Sequence, residues 1–400
     1  MRWGVPVVAV AVVGAAVGAG PVIAAVQGDP TLPERTAEQL LADLVEAGRS
    51  GTVPPLSGTV VETASLGLPA LTALGGSESS PASLLGGVNQ IKVWYGGAGK
   101  VRLALPGRMS ETDLIINGDQ VWLWESATNT ATRFKTPDVE RRGGKDTEGH
   151  GPLGGRPSGT ASPLPTTLTP QELARQVLEK VDDDTAVSVT NTERVAGRAA
   201  YQLVIAPKDE ASLVKEIRLA VDGETLVPLR VQILADGATE PALEVGFSSV
   251  TFTPPASEMF AFTPPAGAKV TEKTPDAARK GHEASDAEKK AEHKAPEGVK
   301  RIGEGWTTIV SVPMTERELL SGDRPGGKGP QGDSAEARQA RENAQQLLKT
   351  VLASAKPVSG AWGSGKVIET KLVSILITDD GRVLAGAVTP EALVEAAGKK

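Results

Sequence analysis

Apolar and polar residues alternate with a period of two through most of the chain's middle. The pattern is clear at residues 91–95 and 101–105, and it returns at 217–221 and 229–233. Successive side chains of a strand point to opposite faces of a sheet, so each stretch predicts a strand with one apolar face. Asp222-Gly223 is a turn signal between two of them. The series predicts a long antiparallel sheet with one apolar and one polar face.

One hairpin departs from this rule because both of its faces are apolar. It has the sequence DLIINGDQVWLWESATNTATRF, residues 113–134, with a turn signal at Asn117-Gly118. A two-residue loop there pairs Leu114 with Val121, and moving the turn by one residue pairs Leu114 with Leu123. Either register places Ile115, Trp122 and Trp124 on one face and Leu114, Ile116, Val121 and Leu123 on the other. Two apolar faces need two covers: helices and loops for one, and the opposite wall of a curved sheet or a ligand for the other.

Helices are predicted where the apolar period changes to that of an amphipathic helix. The first covers residues 33–49, with Thr36 and Gln39 as a capping box. The second begins at Thr169, with Pro170 in its first turn and its apolar side reaching residue 181. Residues 334–354 predict a third helix, and Thr389 caps a final one.

The stretch from 64 to 87 is unusually apolar for a loop. It carries leucines among Gly, Ser, Pro and Ala without a regular period. It either packs down as an irregular lid or touches something apolar, and the lid is favoured because long ordered loops often act as covers. The candidate lid residues are Leu66, Leu68, Leu71 and Leu74.

The remaining segments set the boundaries of the predicted domains. Residues 1–26 have one early Arg, an apolar run and then small residues, as in a signal peptide, although an uncleaved N-terminal anchor is the alternative. Either way the rest of the chain is expected outside the cytoplasm. Residues 269–300 are rich in charge and Ala and predict a disordered linker. A domain at 33–267 is therefore expected before it, with a block at 301–400 that packs on or extends the sheet.

The amino-acid composition limits the kinds of functional site and partner that the chain can have. Lys and Arg number 42 against 49 Asp and Glu, a net charge of −7, which argues against a nucleic-acid partner. There is no cysteine, and the three histidines His150, His282 and His293 lie in predicted loops or the linker, so no catalytic site, metal site or cofactor is expected. GAWGSGKV at residues 360–367 has the frame of a phosphate-binding loop but ends in Val, with a strand after it. We therefore expect a protein that is not an enzyme.

The order of these elements resembles the lipoprotein-localisation superfamily that includes LolA, LolB, RseB and MucB, most of all its exported actinobacterial LolA-like members. The resemblance lies in the hairpin at 113–134 and in the later run GRAAYQLVIAPKD…IRLAVDGETLVPLRVQI, and it covers about residues 33–267. It implies an α+β fold: a curved, unclosed antiparallel β half-barrel with helices packed on the concave side, plus disordered insertions. The long insertions and the linker are not typical of the carrier. The family's substrate-handling arginine has no certain match, although Arg102 and Arg108 lie on or beside the early strands.

The resemblance also implies an apolar cavity for acyl chains, and hence non-enzymatic binding or transport of lipid or lipoprotein in the cell envelope. The candidate cavity residues are Trp94, Leu103, Leu105, Ile115, Trp122, Trp124, Tyr201 and Leu203. For any one of them, a place in the plain core is favoured over a place in the cavity lining. The alternative is a sensor of the RseB and MucB kind, which binds a membrane signalling protein such as an anti-sigma factor. The expected partners are therefore an acyl chain or such a membrane protein, and not nucleic acid.

Overall fold

The computed structural model describes two β-sheets with a few helices. The described residues are 32–50, 53–67, 86–97, 99–135, 169–170, 174, 181, 184–273, 298–321, 342, 345–346 and 348–399. Several predictions therefore lie outside the described residues: the N-terminal segment 1–26, Leu68, Leu71 and Leu74 of the lid, the three histidines, and most of the second and third helices. No helix among the described residues is both long and apolar enough to cross a membrane.

The larger sheet has twelve strands. They are β1 (Leu56–Ser65), β2 (Gly86–Tyr95), β3 (Lys100–Pro106), β4 (Glu111–Asn117), β5 (Gln120–Glu125), β6 (Thr130–Lys135), β7 (Thr185–Val195), β8 (Arg198–Pro207), β9 (Val214–Asp222), β10 (Pro228–Ala235), β11 (Pro241–Thr251) and β12 (Lys269–Lys273). Their order in space is β12-β6-β5-β4-β3-β2-β1-β11-β10-β9-β8-β7. β12 and β7 are the two edges, so the sheet is an open, curved half-barrel, as the sequence predicts.

Two meanders meet in the middle of this sheet. Strands β1 to β6 pair with their chain neighbours, as do β7 to β11, and β1 joins the two sets by pairing with β11. All of these pairs are antiparallel, whereas β12 pairs with β6 in parallel. The sheet is therefore mixed at one edge, where the sequence predicts only antiparallel pairs.

The first helix, α1 (Ala37–Ser50), covers part of one face of the larger sheet. Thr36 and Gln39 form the predicted capping box, with hydrogen bonds of 3.1 and 3.2 Å between backbone N–H and side-chain oxygen. Leu40 and Leu44 are buried in the main hydrophobic core. We call the face that carries α1 the inner face and the opposite one the outer face; the inner face is the concave side.

The C-terminal residues form a sheet of their own. Its six strands are β13 (Lys300–Ile302), β14 (Ile309–Pro313), β15 (Lys356–Gly360), β16 (Gly363–Glu369), β17 (Ser374–Thr378) and β18 (Arg382–Gly386), ordered β13-β14-β18-β17-β16-β15. Helix α3 (Pro390–Gly398) packs on one face with a small core around Leu384 and Leu393. Helix α2 (Glu316–Ser321) and the helical residues 348–353 contribute to a separate small core with Ile368 and Ile377. This sheet does not add strands to the larger one.

The smaller sheet docks on one end of the larger sheet at separate points. Val388 forms a β-bridge with Ser212, and the indole N–H of Trp306 donates to the Thr185 hydroxyl over 2.8 Å. On the other side, the backbone N–H of Lys371 donates to the Leu66 carbonyl over 2.9 Å. Trp306 and Leu372 also pack against the main core. The start of the predicted lid therefore lies against the C-terminal sheet.

One predicted boundary changes. The first residues expected in the disordered linker, Lys269–Lys273, form β12 instead. Nothing in the side-chain pattern of KVTEK signals this strand. It forms because the Lys269 N–H donates to the Asn129 carbonyl, and the Asn129 side-chain amide donates to the Gly267 carbonyl over 2.9 Å. Residues 360–367 form the β15–β16 hairpin, in which Gly360 pairs with Gly363.

Candidate functional site

The tryptophan hairpin takes the second of the two predicted registers. Leu114 pairs with Leu123, Ile115 with Trp122 and Asn117 with Gln120, so Gly118 and Asp119 form the turn. Gly118 has a φ of 64°, which glycine adopts without strain. Leu114 thus lies on the inner face and Trp122 on the outer face.

This register divides the eight candidate cavity residues between two faces. Leu103, Leu105, Tyr201 and Leu203 lie on the inner face, whereas Trp94, Ile115, Trp122 and Trp124 lie on the outer face. They cannot all line one cavity, because the sheet itself separates them. The strand period predicts this split between neighbouring positions, but it does not say which face carries the helix.

The outer face of the hairpin is covered by the chain itself. After β11 ends in the middle of the sheet, residues 252–268 cross to the far edge and continue into β12. Within this strap, Phe260 is 2% exposed beside Gly96, where a Cβ would lie 2.9 Å from the Phe260 ring. Phe262 lies with its ring centroid 5.5 Å from Trp122 and 6.1 Å from Trp124. Trp122 and Trp124 therefore form an aromatic cluster with Phe262 of the strap, and both keep part of their surface accessible.

Basic side chains complete this outer cluster. Arg102 makes two hydrogen bonds of 3.2 and 3.1 Å to the buried carboxylate of Asp113, and its guanidinium lies 5.4 Å from the Trp94 ring centroid. The Arg133 guanidinium lies 5.7 Å from the Trp122 ring. Such contacts stabilise a folded surface. Arg102, one of the two arginines considered for substrate handling, is thus held on the outer face.

The inner face of β7 to β11 carries much of the buried core, although Val189, Ile233 and Leu243 on the same face are half-buried. Leu203, Leu219 and Val231 are directly paired across three strands and each is 0% exposed. Tyr201 is buried as well, with its hydroxyl donating to the Pro33 carbonyl over 2.9 Å just before α1. We call this region the covered half. The candidate residues Tyr201 and Leu203 lie within it.

The inner face of β3 to β6 is apolar but only half-buried. We call its members the apolar patch: Leu103, Leu105, Ile116, Val121, Leu123 and Phe134. Leu114 and Val101, at 4% and 3% exposed, are buried on the same face. Leu103, Leu105 and Ile116 pack against the main core, and all six residues keep part of their surface accessible. Leu103 and Leu105 are the two predicted residues that belong to the patch.

A charged residue interrupts the inner face at its centre. Glu62 on β1 is 6% exposed and lies between Asn89 of β2 and Val245 of β11. Its carboxyl accepts a long hydrogen bond of 3.5 Å from the Asn89 side chain. Burial raises the pKa of Glu62 to about 7. The sequence does hold the signal, since Val60, Glu62 and Ala64 alternate on one face of a strand.

Two other kinds of site are relevant in the described part of the chain: a metal site and a surface groove. No three His, Asp or Glu side chains there come close enough to hold a metal ion. An open groove of about 610 Å³ lies along α1, lined by Glu38, Leu41, Ala42, Asp43, Val45 and Glu46. None of the eight candidate cavity residues lines this groove. The groove is therefore separate from the apolar patch.

The chain is similar in structure to several solved proteins, at low sequence identity. No family model matches the chain, and no curated protein does. A solved complex of MucA and MucB from Pseudomonas aeruginosa is 14% identical, with a TM-score of 0.37, over 90% of this chain and 96% of that one. A LolA superfamily protein from Nitrosomonas europaea is 10% identical, with a TM-score of 0.20, over 57% of this chain and 99% of that one.

A third solved structure is described as a putative outer membrane lipoprotein-sorting protein domain from Vibrio parahaemolyticus. It is 13% identical, with a TM-score of 0.20, over 56% of this chain and 97% of that one. The chain is thus similar to the proteins that the sequence resembles. At such TM-scores the similarity gives no information on ligands, which must be inferred from this chain's own residues.

Proposed function

We propose that this protein binds the apolar chains of a lipid or of a lipoprotein's acyl groups, without catalysing a reaction. The half-buried apolar patch on the inner face of β3 to β6 is the observation that supports this function. Neighbouring strands lie about 4.8 Å apart, so four strands offer a surface roughly 15 Å wide. A flexible hydrocarbon chain fits such a surface because contact with it needs no directed hydrogen bonds.

The binding energy comes from removing apolar surface from water. Each buried CH₂ group contributes about 0.8 kcal/mol, against which the loss of ligand freedom must be set. The proposed site does not include Trp122 and Trp124, since they lie on the opposite face of the sheet beside Phe262. We further propose an extracytoplasmic location in the cell envelope, where such ligands are found, with residues 1–26 directing export.

The test is lipid binding by the purified full chain and by two matched variants. Leu123→Thr places a hydroxyl in the patch while keeping strand propensity, and Val204→Thr makes a similar change on the half-buried outer face of β8. Native mass spectrometry of wild-type protein from its own envelope should show bound lipid. A lipid titration should give roughly five- to tenfold weaker binding for Leu123→Thr, about 1 kcal/mol, and no change for Val204→Thr. A wild-type protein that binds no lipid in either measurement would refute the proposal.

A second candidate function is sensing through a membrane signalling protein. The observation that favours it is the C-terminal sheet, which has its own small cores and meets the larger sheet at separate points. Such a sheet can move against its neighbour more easily than a strand can leave a sheet. A crosslink to one membrane protein that persists after lipid extraction would support the sensor, whereas its disappearance with the lipid would support lipid or lipoprotein binding alone.

A further inference from the structure

The edge strand β12 contributes little to the hydrophobic core. Four of its five residues are exposed, among them Val270 at 52%, and Thr271 is half-buried. The strand is nevertheless paired with β6 along its whole length, and its start is fixed by hydrogen bonds of Asn129 with the backbones of Lys269 and Gly267. Its main contribution to the sheet is therefore the set of side chains that it places on each face.

On the inner face, β12 places two lysines. Thr271 lies on that face, because its hydroxyl is 3.0 Å from the hydroxyl of Thr132, which pairs with Leu123 of the apolar patch. Side chains two residues apart in a strand point to the same side, so Lys269 and Lys273 lie on the inner face with Thr271. Both lysines are exposed, and neither ammonium group has a hydrogen bond or an ion pair with another of the described residues.

Each lysine continues a row of paired residues across the sheet. Lys273 pairs with Phe134, which pairs with Val121, so this row is apolar up to the edge of the sheet. Lys269 lies in a more polar row, in which the carboxyl group of Glu125 follows two strands away, at about 10 Å. The apolar patch is therefore bordered on its β12 side by positive charge.

This arrangement matches an amphiphile with a negative headgroup. The two lysines are four residues apart, so their Cα atoms are about 13 Å apart, and their flexible side chains can bring both ammonium groups to one anion between them. Hydrocarbon chains would extend from there over Phe134, Val121 and Leu123. A phospholipid with a net negative charge has this distribution of polar and apolar parts.

We propose, on the basis of the acyl-binding function above, that Lys269 and Lys273 bind the phosphate of an anionic phospholipid whose acyl chains lie on the apolar patch. Lysines on an edge strand also have a simpler use, because their charge discourages pairing with a second copy of the chain. That use requires no preference among lipids, so lipid selectivity separates the two roles.

The test compares two lipids with the same short chains: dioctanoyl phosphatidylglycerol, which has a net negative charge, and dioctanoyl phosphatidylcholine, which has none. At low salt the wild-type full chain should bind the phosphatidylglycerol about fivefold more tightly, which corresponds to about 1 kcal/mol, as exposed ion pairs contribute. This preference should decrease at high salt, because exposed charges are screened. The double variant Lys269→Gln/Lys273→Gln should bind both lipids with the wild-type affinity for the phosphatidylcholine.

The matched control is the double variant Lys92→Gln/Lys100→Gln. These two lysines are also exposed, but they lie on the outer face of the same sheet. The control removes the same amount of charge from the chain and should keep the wild-type preference. Phosphatidylcholine binding by both double variants shows that each of them is folded.

Each outcome has a separate meaning. If wild type binds neither lipid, the acyl-binding function fails. If wild type binds the two lipids equally, or if Lys269→Gln/Lys273→Gln keeps the preference, only the headgroup site is wrong. Equal loss of the preference in both double variants would assign it to the overall charge of the chain and overturn the proposal. So would inorganic phosphate that binds wild type as tightly as the phosphatidylglycerol does, since the lysines would then bind free phosphate.

Discussion

The two halves of the inner face have similar side chains and different degrees of burial. In the covered half, Leu203 and Leu219 are fully enclosed near α1. In the apolar patch, Leu103 and Leu123 keep part of their surface accessible. Both halves are built by the same alternation on adjacent meanders, so alternation alone does not distinguish core from binding surface. The difference lies in what packs on top: the covered half contributes more buried surface to the fold, and the apolar patch is the surface that we propose for the ligand.

The largest expected effect tests the stability side of this comparison. Leu219→Ala should lower the free energy of unfolding by about 3 kcal/mol, because it leaves a cavity in an enclosed core. Leu123→Ala should cost about 1 kcal/mol or less, since part of the leucine surface is already accessible. Urea unfolding of both variants measures the difference. Equal losses would show that the patch is ordinary core.

The next effect concerns pH. A carboxyl whose pKa is raised to about 7 in the folded state stabilises the fold fully below its unfolded value near 4.5, and that stability is lost as pH rises through 7. Between pH 5 and pH 8, the Glu62 contribution should fall by about 2–3 kcal/mol. Glu62→Gln should remove this part of the pH dependence and be the more stable protein at pH 8. An identical pH profile for the two proteins would contradict the burial of Glu62.

The smallest effect concerns the outer face. Phe262→Ala should cost about 1 kcal/mol through loss of its contacts with Trp122 and Trp124, and should shift tryptophan emission to longer wavelength as water reaches the rings. Lipid affinity should not change, because the strap lies on the face opposite the patch. Met109→Ala, at a fully exposed turn residue, is the control and should leave emission unaltered. Loss of lipid binding in Phe262→Ala would indicate that Trp122 and Trp124 contribute to the lipid-binding site.

Local signals in the sequence predict much of this fold. Turns at Asn117-Gly118, Asp222-Gly223 and Asp380-Gly381 fall between paired strands, and Thr389 caps α3 by accepting from the Ala392 N–H. These features depend on residues close together in the chain, so their chemistry is visible in a short window. The two faces of the tryptophan hairpin could be predicted for the same reason.

Long-range packing explains what the sequence does not reveal. Trp122 on β5 is contacted by Phe262, which lies on a strap that starts after β11, six strands later in the chain, and has no periodic pattern of its own. β12 forms on β6 through Asn129 and Gly267 and through a 3.0 Å contact between the hydroxyls of Thr132 and Thr271. Glu62 was detectable from its place in a strand, but its burial depends on neighbours from β2 and β11.

The pairing of β1 with β11 also sets an order for assembly. Strands β2 to β6 can pair beside β1 as soon as they are synthesised. The other edge of β1 stays unpaired until β11 has been synthesised, since Ser57 pairs with Thr251. Contacts between such distant residues form slowly, and an unpaired strand edge can recruit a second copy meanwhile. The nascent chain is therefore most prone to aggregation in the interval between completion of β6 and arrival of β11.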